Sequence, residues 1–393
     1  MQSTLFEIAA RTFDGYTDRA TGNRVLRLDP RLPAGHPPLQ EKTGWLTQYH
    51  QCSCFLDGGR RILINLGSLG DRFVANYFIL DLETGCAEPA GSDSYTVGLV
   101  DPNSPRAFCW RDDHAAVIYD LDRHEELMEF STESPWFLSD NILLADSCQA
   151  VVGAYQGLDN RWEEPCNSRF YHLEVGKEPQ MILDEQGWFC NHLQACPTNS
   201  NLFAYDRWPS PWRPEQVIIH LRDLDGNERP LPHVDTVMPS ATKLGVQRDH
   251  YVWTPDGRRI CSYFSPIHST SDDHYDFGWW ISAIDIETGE DLCCAYPPER
   301  WGCHFNPTPD SKYLLSCGGR DFQFLYAIEI EALREGWNET VIFELPKSIE
   351  DGRDNGPYHH PWVLPDQSGV IVAAGWPGPD WGIYMVEWPR GTM

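Results

Sequence analysis

Four histidines in this chain share one local context. Each is followed five positions later by a proline, as His192/Pro197, His250/Pro255, His304/Pro309 and His360/Pro365. The sets recur about every 55 residues, a period typical of architectures that copy one supersecondary unit along the chain. Two read almost as a single motif: His250-Tyr-Val-Trp-Thr-Pro-Asp256-Gly257 and His304-Phe-Asn-Pro-Thr-Pro-Asp310-Ser311. Proline fixes φ, and the Asp-Gly or Asp-Ser pair after it supplies a tight turn. Each histidine is therefore expected at a fixed distance before a hairpin, at the start of a strand. If the copies are arranged around an axis, the four imidazoles converge at one mouth.

The rest of the chain repeats the same unit. An apolar second strand recurs as Arg61-Ile-Leu-Ile-Asn65, Arg259-Ile-Cys-Ser-Tyr263 and Gly369-Val-Ile-Val-Ala373. A third strand and its turn appear as Tyr77-Phe-Ile-Leu-Asp-Leu-Glu-Thr-Gly85 and again as Ile281-Ser-Ala-Ile-Asp-Ile-Glu-Thr-Gly289. The clearest helical stretch, Glu329 to Glu335, falls between strands. First strands begin near His50, Thr96, Ser139, His192, His250, His304 and His360. Seven copies of four strands predict an all-β chain, a seven-bladed β-propeller formed by residues 1–393 as one domain. The early segment Gly22 to Asp29 has strand character and no blade of its own, so it is expected to complete the last blade and close the ring.

Composition narrows the partners. The formal net charge of −28 speaks against nucleic acid and anionic membrane, whose phosphates are bound by Lys and Arg. An anionic substrate would need local neutralisation by a metal or a few placed arginines. No apolar run approaches the roughly 20 residues needed to cross a bilayer, and Met1 to Gly15 lacks the cationic and apolar regions of a signal peptide. Thirteen cysteines, an odd number without zinc-knuckle spacing, read as reduced thiols. These features together predict a cytoplasmic protein.

These motifs resemble the oligogalacturonate lyase family, seven-bladed propellers that act in the cytoplasm on short pectin fragments. The resemblance covers nearly the whole chain, beginning with Cys54-Phe-Leu-Asp-Gly-Gly-Arg-Arg-Ile-Leu-Ile. His250 in His-Tyr-Val-Trp-Thr-Pro-Asp-Gly matches the family's His-Glu-Phe-Trp-x-Pro-Asp-Gly, whose histidine is the general base. His304 in Cys-His-Phe matches a Ser-His-Leu or Ser-His-Phe segment, and His360-Pro361 matches part of a Gln-x-x-His-Pro-His-Pro segment. The resemblance implies that His304 and His360 are ligands of a divalent metal, manganese in the first instance.

There are departures. The family's glutamine falls on Asn355 and the first histidine of its His-Pro-His on Tyr358, while His359 stands where the family has proline. The substrate-holding arginine falls on Gln216 or Val217, and the family's His-Glu-Gly has become Asp206-Arg207-Trp208. Arg207, Arg213 and Arg248 are then the candidates to hold an acidic oligosaccharide, and Asn355 is a candidate third metal ligand.

The chemistry implied is β-elimination. A base removes the proton at C5, beside the carboxylate, and the C4 oxygen leaves. A cation on the carboxylate stabilises the second negative charge that develops, and a neutral histidine is a suitable base. His250 is the expected base, Tyr358 the expected proton donor to the leaving oxygen, and His192 a contact to substrate or metal. His359 is expected to point away, because strand side chains alternate. The Trp-rich stretches Trp208 to Trp212, His268 to Trp280 and Trp376 to Trp381 offer aromatic faces to a sugar or pack between blades. Asp272-Asp273-His274 reads as a solvated loop. Two other readings stay open: a metal-independent lyase of another uronate-containing glycoside using His250 and Tyr358, and a non-catalytic propeller that binds proteins. A serine peptidase is excluded, since no Gly-x-Ser-x-Gly elbow is present.

Overall fold

Antiparallel strand pairing dominates the computed structural model, which describes residues 3–35, 43–46, 54–68, 76–92, 95–101, 104–144, 148–160, 163–211, 217–231, 243–268, 280–297, 304–318, 324–345, 360–374 and 382–389. The described strands form seven antiparallel sheets of four or five strands, the blades of a β-propeller. The third blade runs Phe137–Leu143, Gln149–Gln156, Asn167–Glu174, Gln180–Glu185; the fourth Trp188–Ala195, Leu202–Pro209, Ile218–Asp223, Glu228–Pro230. The fifth runs Lys243–Trp253, Arg259–His268, Trp280–Asp285, Asp291–Ala295; the sixth Phe305–Pro307, Tyr313–Gly318, Phe324–Glu329, Glu339–Glu344.

The seventh blade starts with Trp362–Val363, Gly369–Ala374 and Gly382–Glu387 and is finished by the N-terminus. Arg24–Leu28 pairs antiparallel with Gly382–Glu387, Val25 opposite Val386 and Leu28 opposite Ile383. Gly15–Thr17 adds one more strand beyond it. A short helix that the sequence did not announce, Leu5–Ala9, is capped by Thr4, whose hydroxyl accepts from the Glu7 N–H at 3.2 Å. The first N–H groups of that helix find partners in the turn of the last blade: Leu5 donates to Asp366 at 2.7 Å and Phe6 to Ser368 at 3.0 Å.

The predicted Pro-Asp turns form as one device repeated in three blades. In the fifth, sixth and seventh blades the residue after the aspartate has φ of 68° (Gly257), 59° (Ser311) and 54° (Gln367). Each donates its N–H to the residue three earlier at 2.8 Å: Thr254, Thr308 and Leu364. The aspartate folds back on the same turn; Asp256 accepts from the Arg258 N–H at 3.0 Å and Asp310 from the Lys312 N–H at 3.2 Å. The Asp-x-Glu-Thr-Gly echo is also one structure. Asp81 accepts from the N–H groups of Glu83 and Thr84, and Asp285 from those of Glu287 and Thr288, all at 2.8–3.0 Å. Where a helix was expected over 329–335, strand Phe324–Glu329 ends first and Glu331–Arg334 makes a single 3₁₀ turn. Arg334 pairs with Glu290 at 2.6 Å and Arg259 pairs with Glu331, which fixes that turn to the fifth blade.

The chain gathers into two compact units: Met1–Pro105 with Pro298–Glu329 and Asn338–Met393, and Arg106–Pro297 with Ile330–Trp337. In the first, Val25, Leu315, Leu325, Phe343, Val372 and Tyr384 build a core across the sixth and seventh blades. In the second, Ile142, Val151, Phe170, Phe203 and Tyr205 join the third and fourth blades, and Tyr251, Trp253, Ile260 and Ile284 with Ile219 join the fourth and fifth. No disulfide joins the described cysteines. Among the described residues no helix is long and apolar enough to cross a membrane.

Candidate active site

His192 and His250 are not at strand starts, as the spacing predicts, but inside the first strands of the fourth and fifth blades. Both lie where the ladder slips by one. Asn191 pairs with Asp206 and Gln194 with Ala204, so His192 and Leu193 together oppose one residue. Asp249 pairs with Tyr263 and Val252 with Cys261, so His250 and Tyr251 do the same. These are β-bulges with the first residue left-handed: φ is 54° at His192 and 46° at His250. Left-handed φ is uncommon without glycine, and here it re-aims an imidazole in two consecutive blades. The two rings are in contact, their centroids 5.2 Å apart and their planes tilted by 46°.

The polar surroundings of the two rings differ. Nδ1 of His192 meets Oδ2 of the fully buried Asp206 at 2.8 Å. The third blade has its own bulge at Ser139, which brings Asp140 against the next bulge. The Asp140 carboxylate accepts the Leu193 N–H at 2.9 Å. Burial pushes the Asp140 carboxyl up to about 6, although the Leu193 N–H and the His192 ring both favour its charged form. Nδ1 of His250 meets the Tyr263 hydroxyl at 3.1 Å with the rings stacked 5.5 Å apart. The Tyr251 hydroxyl donates to the His192 carbonyl at 2.5 Å, and Gln194 donates to the Tyr251 carbonyl, so each bulge braces its neighbour.

In the other unit, His304 directly precedes Phe305–Pro307 and His360 lies two residues before Trp362–Val363. Their exposures are 6 % and 8 %, and the rings meet edge to face with centroids 4.6 Å apart. Two adjacent buried imidazoles are a donor set that suits a divalent transition metal. The expected third donor, Asn355, lies outside the described residues, as do Tyr358, His359 and Arg213. Among the described residues no group of three or more His, Cys, Asp or Glu could hold a metal. The backbone of Arg248 lies in the strand leading to His250.

Arg207 is engaged in the second unit: its guanidinium pairs with Glu185 at 2.8 Å and lies 4.2 Å over the Trp188 ring. Trp208 is buried in the second strand of the fourth blade and Trp280, half-buried, opens the third strand of the fifth, while Trp212, Trp279, Trp376 to Trp381 and Asp272-Asp273-His274 lie outside the described residues. Sequence reasoning did not single out Asp140 or Tyr263 and noted Asp206 only as a departure. The place of Asp206 directly across the hairpin from Asn191, next to the repeated histidine, was the signal available for it. For Asp140 the signal was its position beside Ser139, where a first strand was expected to begin.

No family model matches the chain. It is 22 % identical to the oligogalacturonide lyase of Pectobacterium atrosepticum over 398 residues, covering 92 % of this chain and 93 % of that one. A solved structure of an oligogalacturonate lyase in complex with manganese superposes with a TM-score of 0.71 at 19 % identity, with 96 % of each chain covered. An oligogalacturonate lyase from Vibrio parahaemolyticus gives the same TM-score at 18 % identity, over 97 % of this chain and 98 % of that one.

Proposed function

We propose that the chain is a divergent member of the oligogalacturonate lyases, a cytoplasmic lyase of the same kind that cleaves uronic-acid oligosaccharides by β-elimination. The observation that carries the reading is the His192–His250 ring contact on paired bulges. Left-handed φ at two bulged histidines costs backbone energy that a merely structural strand has no reason to hold. In the tautomer that donates Nδ1–H to the Tyr263 hydroxyl, 3.1 Å away, His250 carries a lone pair on Nε2, and that nitrogen takes the C5 proton. His304 and His360, with Asn355, would hold a divalent cation, manganese in the relative of known structure. Such a cation, when bound, stabilises charge on the substrate carboxylate. Arg213, Arg248 and His192 are the residues assigned to binding the acidic oligosaccharide, and Tyr358 is the proton donor in the version without metal.

The test is the ultraviolet absorbance of the conjugated unsaturated uronate, followed on a panel of pectic, glucuronic and algal oligosaccharides. His250→Ala is expected to lower turnover by about 10²- to 10⁴-fold with folding intact, since the ring acts chiefly in the transition state. Chelation is expected to remove activity and manganese to restore it. Full activity of the chelated protein, lost in Tyr358→Phe, would move the assignment to the metal-independent lyase.

A further inference from the structure

We infer that His192 and His250 are a one-face acid–base pair, with His192 protonating the leaving oxygen, and that the preferred substrate is a uronate whose C5 hydrogen and C4 oxygen lie on the same face of the ring. That class is the gluco- and manno-configured uronates; in galacturonate the two groups lie on opposite faces. The inference rests on the elimination reading above and adds the configuration of the sugar.

The argument begins with the unlike surroundings of two touching rings. A buried carboxylate, Asp206, sits 2.8 Å from Nδ1 of His192, and a second, Asp140, is held beside the same bulge by the Leu193 N–H at 2.9 Å. Carboxylate neighbours stabilise an imidazolium, the form that can give a proton away. His250 instead meets a phenol hydroxyl at Nδ1, a partner that orients the ring and carries no charge. Neighbouring titratable groups whose environments favour opposite protonation states are how a single site divides acid from base work.

Geometry then restricts the substrate. An anti elimination needs base and acid on opposite faces of the pyranose, with C5, C4 and O4 between them. Imidazoles with centroids 5.2 Å apart, each fixed by a bulge and cross-braced by the Tyr251 hydroxyl on the His192 carbonyl, approach a sugar edge from one side. A syn elimination matches that arrangement. Nε2 of His250 removes the C5 proton, and the C–H electron pair becomes the C4–C5 double bond. The C4–O4 bond breaks with its pair on oxygen, and that oxygen takes the proton of His192. The products are a 4,5-unsaturated uronate and a shortened oligosaccharide, with no net oxidation. Afterwards His250 carries the proton and His192 lacks one, and transfer between the touching rings restores both.

The experiment uses the full chain with manganese and three defined substrates: β-1,4-oligoglucuronate, β-1,4-oligomannuronate and α-1,4-oligogalacturonate. Unsaturated product is expected to form at least about tenfold faster from one of the first two than from the third. Faster turnover of oligogalacturonate overturns the inference and leaves the elimination reading standing, whereas no product from any uronate removes both. A second measurement tests the acid. His192→Gln and Asp206→Asn are expected to slow sugar departure by about 10²-fold or more. On the favoured uronate bearing a 4-O-nitrophenyl group, which leaves without a proton, most of that loss should vanish, while His250→Ala stays impaired on both. Equal impairment of His192→Gln with sugar and nitrophenyl leaving groups overturns the role of His192.

Discussion

At His192 and His250 the side chain is carried on a backbone with φ of 54° and 46°, which costs a residue with a Cβ about 1–2 kcal/mol. Glycine does not bear that cost. His192→Gly is therefore expected to be more stable than His192→Ala by about 1 kcal/mol, the reverse of their order at a regular strand position. Denaturant midpoints of the two variants measure it, and a more stable alanine variant would contradict the bulge assignment. Asp140 gives a second test at this scale. Its folded value of about 6 lies above the ordinary carboxylate value, so its stabilising contribution is complete below pH ~4 and lost as pH rises through about 6. The groups facing it are the His192 ring, the N–H groups of Leu193, Asn141 and His192, and the buried Tyr155 hydroxyl. Asp140→Asn keeps an acceptor for that N–H and cannot ionise. Relative to the parent its stability should rise by up to about 3 kcal/mol between pH 4 and pH 8, and a flat difference in the unfolding midpoint across that range would refute it. Residue identity showed the four histidines at once. Their conformations were not legible, because a bulge depends on the register of two strands and not on the spacing within one.

At the scale of the element, the hairpin turn was legible almost atom for atom, since Pro, Asp and a left-handed position define it locally. What was not legible is why that position is glycine in the fifth blade but serine and glutamine in the next two. A Cβ on Gly257 would run into the side chain of Thr198, which belongs to the preceding blade, and would also crowd Cys196. Gly257→Ser is therefore expected to cost about 1–3 kcal/mol by overpacking in addition to strain, although serine sits in the equivalent turn at Ser311 with φ of 59°. The double variant Gly257→Ser/Thr198→Gly should recover most of the loss; failure to recover would mean that the turn, not its neighbour, demands glycine. The short helix Leu5–Ala9 escaped sequence reading for a related reason. Thr4 caps it locally, but the N–H groups of Leu5 and Phe6 are satisfied by Asp366 and Ser368, more than 360 positions away, and no local signal encodes that.

For the molecule as a whole, the decisive connection is between the two ends of the chain. Strand Arg24–Leu28 is the fourth strand of a blade whose first three strands come from residues 362–387. Val25 and Leu28 are fully buried and Leu26 nearly so, with Val25 part of the core that also contains Leu325, Phe343 and Val372. Removing the strand would return these side chains to water at about 1.5–3 kcal/mol each, expose the apolar residues they cover, and leave Gly382–Glu387 as an unprotected edge. The loss, about 5–9 kcal/mol from three side chains, is comparable with the whole stability of an ordinary protein of about 5–15 kcal/mol. A chain starting at Asp29 is accordingly expected to lose cooperative unfolding and to aggregate. Leu26→Ala, which leaves the strand in place, should cost only about 2–5 kcal/mol and keep one transition. A truncated chain that still unfolds cooperatively near the parent midpoint would show that the N-terminal strand decorates the last blade instead of closing it.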